Sequence, residues 1–246
     1  MIVCKNCGTK FEGNFCPNCG QRPNTGRIVF RESVRDVLEH YFDFDAPLFR
    51  TMKGLIVSPG ELIREYIFGK RKKYSHPVRY YILVLAIYLI VQNIIDFDPI
   101  KATAEIMGAE QQPNLDSKQT KGSYFFRNNI NLFLLFYAFF LAAFNKLFFR
   151  KSGIYFIEYL ALGFFVVAQY IFFTTFVIIG VSISPYVFLL NYILVLVYPI
   201  YIIFKFHDGK WYWKLTKAFF TNLFSWVLYV MAGQTISIFI VIFFDL

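Results

Sequence analysis

The 246 residues predict an all-α polytopic membrane protein with about five transmembrane helices, cytoplasmic amphipathic helices and a small N-terminal Cys4 zinc ribbon. Three observations predict it. Hydrophobic residues make up 57% of the chain and aromatics 21%, against 17% charged, with a mean hydropathy of +0.48. That balance leaves too little polar surface to clothe a soluble fold. Five long apolar stretches fill the rest of the chain beyond its first third, each near the roughly 20 residues a helix needs to cross a bilayer. All four cysteines lie in one short stretch, CKNCGTKFEGNFCPNCGQ, at residues 4–21.

The cysteines fall as Cys4-x-x-Cys7 and Cys16-x-x-Cys19. Two such pairs bring four thiolates to the corners of a tetrahedron, the closed arrangement that zinc takes in structural sites. Gly8 and Gly20 each follow the second cysteine of a pair, where positive φ lets the backbone turn toward the sulfurs. Phe11 and Phe15 are expected to cap a core too small to hold without metal. Two disulfides are the alternative and would require an oxidising compartment. Iron in a four-thiolate site uses the same ligands and stays open. No βαβ pattern surrounds either pair, which counts against thiol redox chemistry.

The first residues are polar and cysteine-rich, so no cleavable signal is expected. After the linker-like RPNTGR, Phe30, Val34, Val37, Leu38 and Tyr41 mark one face of an amphipathic helix. A second such piece, PLFRTMKGLI, places Leu48, Met52 and Leu55 opposite Arg50 and Lys53. A third opens on Ser58-Pro59-Gly60-Glu61, a capping-box start, and is expected to end at Gly69. These readings divide the chain into a ribbon at 1–24, cytoplasmic juxtamembrane helices at 25–78 and a bundle at 79–246.

Within the bundle the expected spans are 79–95, 130–149, 154–179, 186–204 and 219–244. The polar connection at 96–129, with Gln111, Gln112, Pro113 and Asn114, is expected to hold one short helix near residues 100–107. The turn GVSISP makes the third and fourth spans antiparallel neighbours. With the N-terminus inside, 21 of the 25 Lys and Arg lie on the cytoplasmic side, leaving Lys101, Lys118, Lys121 and Arg127 outside. The cysteines are then in the reducing cytosol, and the C-terminus is extracytoplasmic.

Ionisable groups near the bilayer centre, the usual mark of an intramembrane enzyme or coupled transporter, are nearly absent. Glu158 lies at the start of the third span, where the helix dipole accounts for it, and Lys146 can snorkel to the same face. Gln169, Asn191 and Gln234 are the deeper polar residues; interhelical hydrogen bonds are one use for them and a polar cavity the other. No HExxH, GxSxG, Walker or dinucleotide motif is present. His76 in YSHPVRYY reads as interfacial. His40 with Asp43 and Asp45 reads as an interfacial loop ahead of a second metal cluster.

The basic run Lys70, Arg71, Lys72 and Lys73, with Arg79, has three readings in descending order. It anchors the topology, it touches anionic lipid headgroups at about 1 kcal/mol per basic residue, or it binds nucleic acid. The positive-inside bias already accounts for the net charge of +9, which weakens the last.

The ordered set CxxCG, FCxxCGQ, RT-x-K-x-L, SPG, REY, GKR-x-x-Y and HP-x-RYY resembles a family of bacterial membrane proteins known as domain of unknown function 3667. The matching residues are Cys4, Cys7, Cys16, Cys19, Gly20, Gln21, Thr51, Pro59, Tyr66, Gly69, Arg71, Tyr74 and Pro77. The resemblance implies a bacterial inner-membrane location and an N-terminal zinc ribbon, and it implies no activity. It draws attention to residues 51–80 as a working surface. The function expected is that of a non-enzymatic membrane protein whose zinc ribbon and basic platform dock a cytosolic protein or membrane lipids. A small-solute permease or lipid-handling transporter is the second expectation and a membrane-embedded enzyme the third.

Overall fold

A computed structural model describes residues 2–23, 46–108 and 118–244. The amphipathic helix expected around residues 30–41, the His40, Asp43 and Asp45 group, and residues 111–114 lie outside the described residues. The ribbon opens with a two-stranded antiparallel pair, β1 Ile2–Val3 and β2 Lys10–Phe11, in the register Ile2 opposite Phe11. Every later element among the described residues is helical.

Helices α1 Ala46–Val57 and α2 Pro59–Ile67 form a hairpin, followed by a 3₁₀ turn at Arg71–Lys73. The capping box expected at Ser58 does not form, because its hydroxyl makes no cap bond. The chain passes straight from one helix to the next. The Ser58 N–H donates to Gly54 O at 2.8 Å, closing α1, while its carbonyl accepts from Leu62 at 3.1 Å, opening α2. Pro59 starts α2 with no N–H to leave unsatisfied.

The remaining helices are α3 Pro77–Ile94, α4 Pro99–Met107, α5 Lys118–Asn128, α6 Ile130–Phe148, α7 Phe156–Val181, α8 Leu190–Phe206 and α9 Trp211–Phe244. Five of them, α3, α6, α7, α8 and α9, are long and apolar enough to cross a membrane, and the chain is a multi-pass membrane protein. Helix α7 sits at the centre, packed against α3, α6 and α8, while α9 closes the bundle against α6 and α8. The most apolar stretch of α7 is 56% buried, that of α9 only 22%. The exposed faces nevertheless carry Ile90, Leu135, Ile193, Leu196, Leu228 and Met231, so acyl chains, and not water, suit them. At the α6–α7 crossing, a Cβ on Gly163 would lie 2.6 Å from Ala138 O. Small residues there let the two backbones touch, which is how helices associate where lipid removes the hydrophobic drive.

Helix α9 starts eight residues before the expected 219, at Trp211. Lys214 and Lys217 argued for a loop there, but charge does not break a helix that extends past the bilayer. At 1.5 Å per residue its 34 residues run about 51 Å, against roughly 30 Å of hydrocarbon. Helix α4 confirms the short helix expected near residues 100–107, capped by Asp98 Oδ1 on the N–H of Ile100 at 2.7 Å. Helix α5 was read as loop, since KQTKGSYFFRN has no apolar period. It forms because it packs along α9: Phe126 lies over Gly233, and Gly122 lies against Ile238.

Pro199 interrupts α8 and supplies no N–H to Val195 O. Asn222 on α9 fills the gap, its Nδ2 reaching Val195 O at 3.3 Å and Leu196 O at 3.1 Å. The Oδ1 of the same side chain accepts from Tyr137 OH on α6. One buried amide therefore ties three spans together at Pro199.

Candidate metal centre and its platform

The four cysteine sulfurs lie within 4.8 Å of one another. Sγ of Cys4 is 3.5 Å from that of Cys19, and Sγ of Cys7 is 3.5 Å from that of Cys16. These separations are far longer than a disulfide bond of about 2.05 Å, and all four cysteines are free. Four thiolates at about 2.3 Å from one ion in a tetrahedron stand about 3.8 Å apart, so the set fits a single metal ion. The two halves repeat the same turn. The Cys4 N–H donates to Thr9 O and the Gly8 N–H to Cys4 O; the Cys16 N–H donates to Gln21 O and the Gly20 N–H to Cys16 O, all at 2.8 or 2.9 Å. Gly8 at φ +77° and Gly20 at φ +68° close these turns in the left-handed region that a side chain disfavours.

The Thr9 hydroxyl, 3.3 Å from Cys7 Sγ, holds that thiol down to about 6, while burial pushes Cys4 up to about 11. A bound cation favours the thiolate at every one of the four. Only Cys4, Phe11 and Cys16 are buried together in the ribbon's core. Phe15, expected to cap it, is 57% exposed with Arg22 over its ring at 5.8 Å. Cys7 is exposed and Cys19 half-buried, so Phe15 does not cover the cluster.

Gln21, the residue after the second turn, is buried, and its Oε1 accepts from the Lys72 N–H at 3.4 Å. It joins the ribbon to the 3₁₀ turn. Around that turn the expected basic run has its own counterion. Glu65 Oε1 is 2.5 Å from Lys70 Nζ, and Oε2 is 2.6 Å from Lys73 Nζ and 2.5 Å from Tyr74 OH. Burial alone would raise the Glu65 pKa, but hydrogen bonds from Lys70, Lys73 and Tyr74 bring it down to about 2. Arg71 and Arg79 also have partners. The run is therefore tied into its own platform, and Lys72 is its exposed member.

The platform in turn is pinned to the bundle. Thr51, fully buried, donates to Pro47 O and accepts from the Ser75 N–H, both at 2.8 Å, which ties α1 to the start of α3. Leu55 O accepts from Tyr198 OH on α8 at 3.1 Å. Tyr66 packs edge-on against Phe165 of α7 at 5.3 Å and against His76 at 6.4 Å. A Cβ on Gly60 would fall 2.6 Å from the backbone of Lys205, so the Ser-Pro-Gly turn lies directly on the end of α8. Tyr198 is eight residues from Phe206, about 12 Å along α8 by the 1.5 Å rise, so α1 is held by a side chain rooted well inside that helix. The second and third amphipathic pieces thus form a hairpin that packs into the bundle.

The deeper polar residues go to separate partners. Gln169, fully buried, accepts from Tyr80 OH at 2.5 Å. Asn191 accepts from Thr174 at 3.0 Å, and Gln234 is exposed on α9. Glu158 accepts from the Tyr155 N–H at 2.8 Å at the start of α7, as the helix-dipole reading expected. Lys146 reaches toward that same end: its Nζ donates to Ile154 O at 2.7 Å, bracing the α6–α7 turn.

Three residues that sequence reasoning did not single out meet at this end. Arg64 on α2 donates to Phe206 O at 2.6 Å and pairs with Asp208 at 2.9 Å. His207 is buried, stacked on Phe149 at 3.5 Å, and its Nε2 is 3.2 Å from Asn145 Oδ1. Asn145 Nδ2 already donates to Leu141 O, so Oδ1 accepts and His207 carries its proton on Nε2. Burial first, then the Arg64 charge, holds this imidazole down to about 3, and it stays neutral. An i,i+4 pattern of apolar residues hides such contacts, because the hydrogen-bonded partners lie from 62 to 144 positions apart.

Residues 45–89 match the profile of a family described as "Protein of unknown function (DUF3667)". The match covers the hairpin, the 3₁₀ turn and most of α3, the same segment that is pinned to the bundle. No curated protein and no solved structure is detectably similar to the chain.

Proposed function

We propose that this is a non-enzymatic membrane protein of the bacterial inner membrane whose ribbon, holding Zn²⁺ on Cys4, Cys7, Cys16 and Cys19, docks a cytosolic protein partner. The observation that carries this reading is the ribbon's surface. Ile2, Val3 and Phe15 are 43%, 54% and 57% exposed on a module too small to need apolar surface for itself, and exposed apolar groups on so small a unit favour a contact. The Gln21 bond to Lys72 supports it further, since a ribbon coupled to the platform can pass a docking event to the hairpin and bundle. The 21 basic residues on the ribbon side favour the cytoplasm for that face and an extracytoplasmic C-terminus.

The test places a photocrosslinking amino acid at Phe15 in the full-length chain in cells. A discrete adduct that disappears in Cys16→Ser/Cys19→Ser supports docking; adducts indifferent to those cysteines, or none, overturn it. Protease access to a C-terminal tag from the extracytoplasmic side supports the orientation, and access only after lysis overturns it.

A second reading, a small-solute permease, draws on one observation. The Nε2 of Gln169 is buried with no hydrogen-bond partner among the described residues, at a cost of about 1–3 kcal/mol unless something accepts from it. Solute flux in liposomes slowed by Gln169→Ala would favour it, and unchanged or absent flux would remove it.

A further inference from the structure

The turns of the ribbon-side end enclose an open cavity of about 830 Å³. Its lining draws charge from three separate elements: Arg64 on α2, Arg150 and Lys151 on the α6–α7 turn, and Lys217 on α9. Asp208 is the one carboxylate in the lining, and Arg64 already holds it. Arg150 and Lys151 are exposed to the cavity mouth and form no ion pair among the described residues. Lys217 Nζ stands 5.4 Å from the Phe149 ring. The floor is flat and aromatic, made of Phe149 with His207 stacked parallel to it. His207 adds no positive charge there, so the cavity's positive charge comes from Arg64, Arg150, Lys151 and Lys217. Arg64 uses two of its five N–H groups on Phe206 and Asp208, which leaves three for a ligand.

The contrast with the Lys70–Lys73 run is chemical. There, Glu65 neutralises two lysines; here, four cations face one carboxylate. A volume near 830 Å³ falls in the range of small-molecule pockets, about 300–1,000 Å³. Leu147 in the lining is 58% exposed, and Trp211 and Trp213, in the first turn of the helix that carries Lys217, are 66% and 59% exposed, aromatics of the kind that sit at headgroup level.

We propose that this cavity binds a phosphate group carrying net negative charge, seated among Arg64, Arg150, Lys151 and Lys217 with its apolar or glycerol portion on the Phe149–His207 floor. Guanidinium and ammonium groups match phosphate oxygens, the former in bidentate pairs. An anionic lipid headgroup and a soluble phosphate ester share this chemistry. The site is independent of the ribbon's docking role.

Full-length protein in neutral detergent is titrated with short-chain phosphatidylglycerol, with phosphatidylcholine of the same chains, and with glycerol phosphate, reading the rise in Tm with concentration. Arg150→Gln/Lys151→Gln lies on an exposed turn and is expected to keep its ligand-free Tm while weakening binding by about tenfold or more. Lys53→Gln/Lys210→Gln removes the same charge from exposed positions outside the cavity and is expected to bind as the parent does. Binding of phosphatidylglycerol alone supports a lipid source, and equal binding of glycerol phosphate supports a soluble one. Three results overturn the proposal: equal loss in both double variants, phosphatidylcholine binding as tightly as phosphatidylglycerol, or no Tm response to either anionic probe.

Discussion

The ribbon and the hairpin lie side by side at one end of the molecule and are held together by opposite means. The ribbon's apolar core is three buried side chains, two of them cysteines, too small to hold without what the thiolates can bind. The hairpin buries Leu55, Leu62, Ile63 and Tyr66 almost completely, and its fold depends on α7 and α8. The difference is one of autonomy. A metal on the four thiolates would close the ribbon locally and let it fold without the bundle; the hairpin's partners are distant in the chain, so its fold rests on them.

Removing the metal tests the first half of this contrast and has the largest expected effect. Apparent binding free energies of structural zinc run to about 10–16 kcal/mol, so Cys16→Ser/Cys19→Ser should abolish bound metal, normally about one ion per chain, and unfold the ribbon. Helical circular dichroism and the bundle's Tm should stay put. A collapse of the bundle as well would show that the two units are not separable.

Gly60→Leu is the converse. Its side chain has to displace the Lys205 backbone, which costs about 3 kcal/mol by overpacking. The bundle's Tm should fall while metal content is unchanged. Retained Tm would mean that the hairpin is not pressed against α8.

Glu65→Gln should cost about 2 kcal/mol, since charged hydrogen bonds to Lys70, Lys73 and Tyr74 are lost together. Acid should do the same to the parent protein. The folded pKa of Glu65 is depressed from 4.5 to about 2, so its contribution is fully present above 4.5 and is lost as pH falls toward 2. His207 acts in a higher window. Its folded pKa is depressed from 6.5 to about 3, so the unfolded chain takes up a proton first and stability declines as pH falls below 6.5. Acid melting of Glu65→Gln should therefore keep the decline that begins near 6.5 and lose the steeper part below 4.5. An acid profile identical to the parent's would remove Glu65 as the counterion of the run.

Gln21→Ala has the smallest expected effect, about 1 kcal/mol or less for a single long hydrogen bond. It should release the ribbon from Lys72 with both units still folded, seen as faster amide exchange at residues 70–73. Unchanged exchange there would show that another contact joins ribbon to platform.

Much of this was legible in the residues. CxxC spacing is a local signal, and the four sulfurs converge as it implied. Apolar length found all five spans, with ends displaced by a few residues at most sites and by eight at α9. Where apolar pattern was weak, as in α5, the helix was missed, because its stability comes from Gly233 and Ile238 on a distant strand of sequence. The basic run was legible as charge but not as neutralised charge. Nothing in KRKK announces Glu65, although it lies only five residues ahead of Lys70 and was visible to an i,i+5 reading.

Composition and short-range spacing determined that this chain is helical, crosses a membrane several times and gathers four thiols around one point. Those properties depend on neighbours within a turn or two, which the order of residues records directly. Which polar groups would be satisfied, that α1 and α2 would enter the bundle, and that four scattered cations would ring one cavity came from packing alone. Leu55 meets Tyr198 and Arg64 meets Asp208 across more than 140 residues, and no local period carries information over that distance.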